Sequence, residues 1–149
     1  MVSSPVLSPE GTSVFVGSRD KKIYAVGAVA GVKIWEFSTG DAVVSSPVLN
    51  AQGSKVYVGS RDKKLYALYA DSGMKIWTFE ASGSLVSSPS ISPDGGVLFV
   101  GSLDHYVYAL SAERGGIEWK FKTDGPVVST PELRDKTGSN GERVFVGSV

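Results

Sequence analysis

Trp35, Trp77 and Trp119 stand 42 residues apart, and most of the residues around them recur at the same interval. Ser3-Ser4-Pro5 returns as Ser45-Ser46-Pro47 and Ser87-Ser88-Pro89, then as Ser129-Thr130-Pro131. Val16-Gly17-Ser18 returns as Val58-Gly59-Ser60, Val100-Gly101-Ser102 and Val146-Gly147-Ser148. A fixed period of this size describes a repeat architecture, in which no unit hides its apolar faces alone and each stacks on its neighbours. The chain of 149 residues therefore divides by its period, into units at 1–42, 43–84 and 85–126 and a half-unit at 127–149. The spacing from Gly101 to Gly147 is 46 residues, so extra residues enter between Leu133 and Arg143. Their glycines and charges predict a longer loop over Arg134–Glu142.

The second unit shows what each repeat folds into. Val44–Leu49 reads as a short strand carrying Pro47, and Ala51–Ser54 as a polar turn. Lys55–Gly59 is an apolar strand, Arg61–Lys64 a charged turn, Leu65–Tyr69 a third strand, and Lys75–Phe79 a fourth. Four short strands joined by tight turns in about 42 residues describe one propeller blade, a four-stranded antiparallel sheet. Proline cannot donate a ladder hydrogen bond, so the strand with Pro5, Pro47, Pro89 or Pro131 is an edge, most simply the one lining the central channel. The second strand is apolar on both faces and should be sandwiched between blades. The fourth alternates, with Trp77 and Phe79 on one face and Thr78 on the other, as suits a half-exposed outer strand. The fold class is all-β, about three and a half propeller blades per chain.

Ala67-Leu-Tyr-Ala-Asp-Ser-Gly73-Met-Lys-Ile-Trp77 resembles the tryptophan-docking motif of the quinoprotein, or PQQ-like, β-propeller repeat. That motif opens on alanine, places glycine six positions later and tryptophan four after that. Ala25, Gly31 and Trp35 fit it, as do Ala67, Gly73 and Trp77, and Ala109, Gly115 and Trp119. The resemblance covers the whole chain. It implies that each tryptophan packs across a blade interface, with its indole N–H on backbone near the glycine of an adjacent blade. A large ring with one donor is physically suited to that wedge. The third motif position, often Asp in the family, holds Gly27, Tyr69 and Ser111 here. The WD type of four-stranded repeat expects Gly-His and Trp-Asp pairs, and the chain has neither.

Many relatives of this kind are quinone-dependent dehydrogenases, and the resemblance implies for those a calcium-held quinone, an aspartate base and often a disulfide of adjacent cysteines. This chain has no cysteine, which also removes thiolate metal sites and thiol nucleophiles. Its aspartates, among them the symmetry-related Asp20, Asp62 and Asp104, fall at turns, where such residues cap backbone N–H groups. A calcium cage needs several oxygen ligands converging from different blades. His105 is the one histidine and sits in a turn, so no metal site or Ser-His pair is expected. There is no Gly-x-Ser-x-Gly elbow and no phosphate-binding glycine loop. No cofactor is expected, and the chain reads as non-catalytic. The alternative is a piece of a quinone- and calcium-dependent dehydrogenase.

Fifteen acidic and fifteen basic residues cancel, so no global field draws the chain to nucleic acid. No apolar run is long enough to span a bilayer as a helix. Arg19, Lys21 and Lys22 share a turn position with Arg61, Lys63 and Lys64, and with His105 in the third repeat. These tips should lie on one face and form a possible partner-binding surface, or serve only as hairpin ends kept soluble by lysine. Propellers close with four to eight blades, so the expected partners are a second copy completing a ring or the rest of a parent propeller. The compartment is not fixed by any of this.

Overall fold

A computed structural model of the chain describes residues 2–134 and 143–149. Among them there is no helix. Three four-stranded antiparallel sheets follow one another, each in simple sequential order. The first holds β1 (Val6–Leu7), β2 (Ser13–Gly17), β3 (Lys22–Gly27) and β4 (Lys33–Ser38). The second holds β5 (Val48–Leu49), β6 (Lys55–Gly59), β7 (Lys64–Tyr69) and β8 (Lys75–Glu80). The third holds β9 (Ser90–Ile91), β10 (Val97–Gly101), β11 (Tyr106–Ser111) and β12 (Ile117–Lys122). A two-stranded sheet of β13 (Glu132–Arg134) and β14 (Arg143–Phe145) follows. Of the loop expected over Arg134–Glu142, Arg134 ends β13 and the rest lies outside the described residues.

The first strand is an edge in each four-stranded sheet, but it is shorter than its sequence suggests: β5 covers only Val48–Leu49 of the expected Val44–Leu49, and Pro47 lies just before it. A side chain takes over where the ladder stops. The Gly59 N–H donates to Ser45 Oγ at 2.9 Å. The same bond joins Gly17 to Ser3 at 3.0 Å, Gly101 to Ser87 at 2.8 Å and Gly147 to Ser129 at 2.8 Å. The first serine of each Ser-Ser-Pro thus replaces a backbone acceptor, and in the three four-stranded sheets a buried N–H is not left orphaned.

Alternation puts opposite faces of each sheet into different cores. Ile23, Ala25 and Trp35 of the first sheet pack against Val56, Val58, Tyr66 and Leu68 of the second. Tyr57, Leu65, Ala67 and Phe79 from the second sheet's other face pack against Leu98, Val100, Tyr108 and Leu110 of the third. Every core thus lies between two sheets and none inside one. Burying one such side chain contributes roughly 1.5–3 kcal/mol, so a sheet gains most of its stability from its neighbours.

Candidate functional site

The outer strands carry the features that join one sheet to the next. Ala25 sits directly across from Trp35, Ala67 from Trp77 and Ala109 from Trp119. The small alanine leaves the ring free to lie over its own sheet and lean outward. Trp35 then donates its indole N–H to the Ala70 carbonyl of the second sheet at 2.8 Å, and Trp77 donates to Ala112 of the third at 3.0 Å. Gly73 and Gly115 form the floor under these rings. A Cβ on Gly73 would fall 2.6 Å from Trp35 ring atoms, and one on Gly115 would collide with the Trp77 ring. Both glycines have left-handed φ, +71° and +73°.

Two further contacts repeat at each junction. Phe37 meets the Tyr66 ring at 5.3 Å, and Phe79 meets Tyr108 at 5.0 Å. Asp62 accepts from Tyr66 Oη at 2.6 Å, from its own turn at Lys64 N–H, and from the Gly40 N–H of the preceding sheet at 2.7 Å. Asp104 does the same with Tyr108, Tyr106 N–H and Ser82 N–H. These carboxylates are therefore inter-sheet nodes as well as turn caps. Burial pushes the Tyr66 and Tyr108 phenols well above their ordinary range, and the adjoining aspartates push them further.

At the two ends of the array the same parts stand without their counterparts. Trp119 and Phe121 are 44% and 62% exposed, and among the described residues the Trp119 indole N–H has no acceptor. At the other end, a Cβ on Gly31 would meet nothing. Asp20 still accepts from Tyr24 Oη at 2.5 Å, a bond that lowers the Asp20 pKa and raises that of Tyr24. No backbone N–H from another sheet reaches Asp20 among the described residues. Gly31, Asp20 and Tyr24 are thus half of a junction, and Ala109, Trp119 and Phe121 the complementary half.

The charged tips occupy corresponding turns between the second and third strands of their sheets. Lys21, Lys63 and His105 have left-handed φ of +71°, +73° and +72°. Arg19, Lys21, Arg61 and Lys63 are exposed, Lys64 and His105 are partly buried, and Lys22 is not a free charge. Glu36 holds the Lys22 ammonium at 2.8 Å and the Lys33 ammonium at 2.9 Å, and these bonds draw the Glu36 pKa down to about 2. Among the described residues no three His, Cys, Asp or Glu side chains converge as metal ligands would.

The resemblance implies a backbone acceptor near the adjacent glycine, and what sequence reasoning leaves unnamed is its residue, because Ala70 and Ala112 act through backbone carbonyls. Their only trace is position, three residues after Ala67 and Ala109.

Stacked four-stranded sheets with aromatic wedges between them define a β-propeller. The family model described as "Outer membrane protein assembly factor BamB" matches residues 2–93 and again 87–146, and the chain belongs to this PQQ-like repeat family. No curated protein matches it. Among solved structures it is similar to BamB from Moraxella catarrhalis, with 19% identity and a TM-score of 0.75 over 90% of this chain and 41% of that one. It is similar also to the WD40 repeats of RRP9 and to U3-55K, each at 17% identity over 84% of this chain and 40% of theirs, with TM-scores of 0.75 and 0.76. The chain thus spans about two fifths of the length of these relatives.

Proposed function

We propose that the chain is a non-catalytic scaffold segment whose work is to join propeller blades, pairing with a second copy to complete a ring. Blades at 1–42, 43–84 and 85–126 and a half-blade at 127–149 are its units, and the Ala-Gly-Trp sets dock one blade on the next. The observation that carries this reading is the match between its ends. Phe145 is 48% exposed on β14, in the position where Phe15 of β2 is buried against Val56 and Val58 of the next sheet. The free face of the first sheet offers the equivalent partly exposed Val14 and Val16. Apolar ends of this kind mark an interface. The contact is head to tail, so closure rather than fibre growth depends on the angle between blades. The exposed tips Arg19, Lys21, Arg61 and Lys63 would then lie on one rim, available to an acidic partner.

Two things favour a scaffold over a dehydrogenase. The carboxylates of Asp62 and Asp104 are already engaged by a phenol and by backbone N–H groups, which leaves them poor candidates for a base or a calcium ligand. The matching family model is also described as an assembly factor. Light scattering at micromolar concentration is the test. The expected mass is twice 15.7 kDa; a single 15.7 kDa chain that melts cooperatively would overturn the pairing. Quinone-dependent dye reduction that is lost on Asp62→Asn or Asp104→Asn would overturn the non-catalytic reading.

A further inference from the structure

The junction of the first and second sheets and that of the second and third each leave a crevice, of about 270 and 330 Å³, built from equivalent positions. We infer that the first of them is a seat for one arginine side chain of a partner protein. This goes beyond the scaffold reading and stands whether or not the chain pairs with itself. Both walls of the crevice belong to complete four-stranded sheets, so sheets added at either end of the array would not cover it. Its volume lies below the ~300–1,000 Å³ of pockets for drug-sized ligands, which suits a single side chain. Among the described residues no three ligands converge there for a metal.

The two crevices differ in what the chain itself supplies. At the floor of the second, Trp77 and Tyr57 both donate to the Ala112 carbonyl, the Tyr57 hydroxyl at 3.3 Å. Phe15 takes the place of Tyr57 in the first crevice. The Ala70 carbonyl there accepts from Trp35 alone among the described residues, and keeps a lone pair free. On the wall of the second crevice, Lys55 brings a cation to the space it shares with Asp94 and Glu113. Its counterpart in the first is Ser13, while the carboxylates remain, as Glu10 and Asp71. Glu10 leans across the junction, its Oε2 3.6 Å from where a Cβ on Gly53 would stand. Neither Glu10 nor Asp71 is in an ion pair among the described residues. Tyr69, about half exposed, adds an aromatic wall.

The first crevice thus keeps two carboxylates, an open carbonyl and an exposed ring, without the cation and the extra donor that its twin carries. A guanidinium supplies both. Its planar fork has five N–H donors for the carbonyl and the carboxylates, and its face stacks on an aromatic ring. An ammonium has only three donors and no such face. The partner therefore presents an arginine with no acidic residue beside it, since another carboxylate would be repelled by Glu10 and Asp71.

The test is a nuclear magnetic resonance titration of the isotopically labelled full chain with the end-blocked pentapeptide Gly-Ser-Arg-Ser-Gly. Amide signals of Gly53, Ala70 and Asp71 should shift saturably, and those of Gly95, Ala112 and Glu113 should stay in place. A dissociation constant on the order of 1 mM is expected for one side chain. Citrulline keeps the shape of arginine and loses the charge, and should show no saturation below about 10 mM. A lysine peptide should bind several-fold more weakly, and equal affinity would overturn the assignment to arginine. Phe15→Tyr combined with Ser13→Lys gives the first crevice the parts of the second and should abolish binding. Asp71→Asn and Glu10→Gln, both at exposed positions, should each weaken it several-fold and do not depend on how the sheet tolerates the paired change. Equal shifts at both crevices would overturn the inference, because the acidity of the face alone would then account for them. So would binding indifferent to Asp71→Asn, or no saturation up to about 10 mM arginine peptide. A monomer that binds the peptide as expected would sink the pairing proposal alone.

Discussion

The indole N–H of Trp77 reaches the carbonyl oxygen of Ala112, 35 residues further along the chain, at 3.0 Å. That single bond ties the outer strand of one sheet to the turn of the next, with Gly115 as the surface on which the ring lies. Its counterpart between Trp35 and Ala70 also spans 35 residues, so the junction is reproduced with the repeat.

Gly31 and Gly115 separate backbone strain from docking. Both have left-handed φ, +66° and +73°, so alanine at either costs roughly 1–2 kcal/mol. Only at Gly115 does the new methyl also collide with an indole, which adds about 1–3 kcal/mol of overpacking. Chemical denaturation should therefore show Gly115→Ala as clearly the more damaging of the two in the unpaired chain. Equal losses would mean that the ring does not rest on the glycine.

The tryptophans should rank by how well they are covered. Truncating a buried aromatic to alanine costs about 3–5 kcal/mol, a large part of the ~5–15 kcal/mol that holds a small domain together. Trp35 is 8% exposed and Trp77 partly buried, and both have their acceptor. Trp35→Ala and Trp77→Ala should unfold the protein or lower its midpoint severely. Trp119→Ala, at a ring 44% exposed, should cost about 1 kcal/mol or less. A Trp77→Ala midpoint within a degree or two of the parent would remove the wedge from this account.

Much of this frame is legible in the sequence, and the reasons differ between elements. Strands such as Lys55–Gly59 declare themselves because an apolar run between turn residues has few other ways to fold, and the 42-residue period multiplies the signal. The first strand reads too long, because Val44–Leu49 looks extended whether its N–H groups meet a neighbouring strand or the Ser45 hydroxyl. The two roles of Asp62 are unequal in the same way. Its turn cap follows from its place between Arg61 and Lys63, whereas its bond from Gly40 N–H depends on how two sheets stack. The Ala70 carbonyl has no side-chain signature whatever.

Lys63 offers a gain rather than a loss. A residue with a Cβ in left-handed φ carries local strain, and Lys63 stands at +73° in the turn between β6 and β7. The lysine side chain is exposed and in no ion pair among the described residues. Lys63→Gly should therefore raise stability by about 1 kcal/mol, read as a higher denaturation midpoint. A lower midpoint would show that the ammonium stabilises the turn by more than the backbone strain it accepts.

The last expectation concerns alkaline pH. Burial, followed by the bond to Asp62, raises the folded pKa of Tyr66, and Tyr108 is raised by burial and Asp104. In the unfolded chain both phenols titrate near about 10. A folded pKa above the unfolded one means that the stabilisation is fully present below about pH 10 and is lost as pH rises toward the folded values. The phenolate absorbance of Tyr66 and Tyr108 should therefore appear only above the ordinary phenol range, as the sheets separate. Far-ultraviolet dichroism should report unfolding together with that absorbance. Asp62→Asn removes the carboxylate that opposes the Tyr66 phenolate, so it should bring that step to lower pH. Ionisation of Tyr66 and Tyr108 near about pH 10, with the dichroism unchanged, would show that they are not closed between blades.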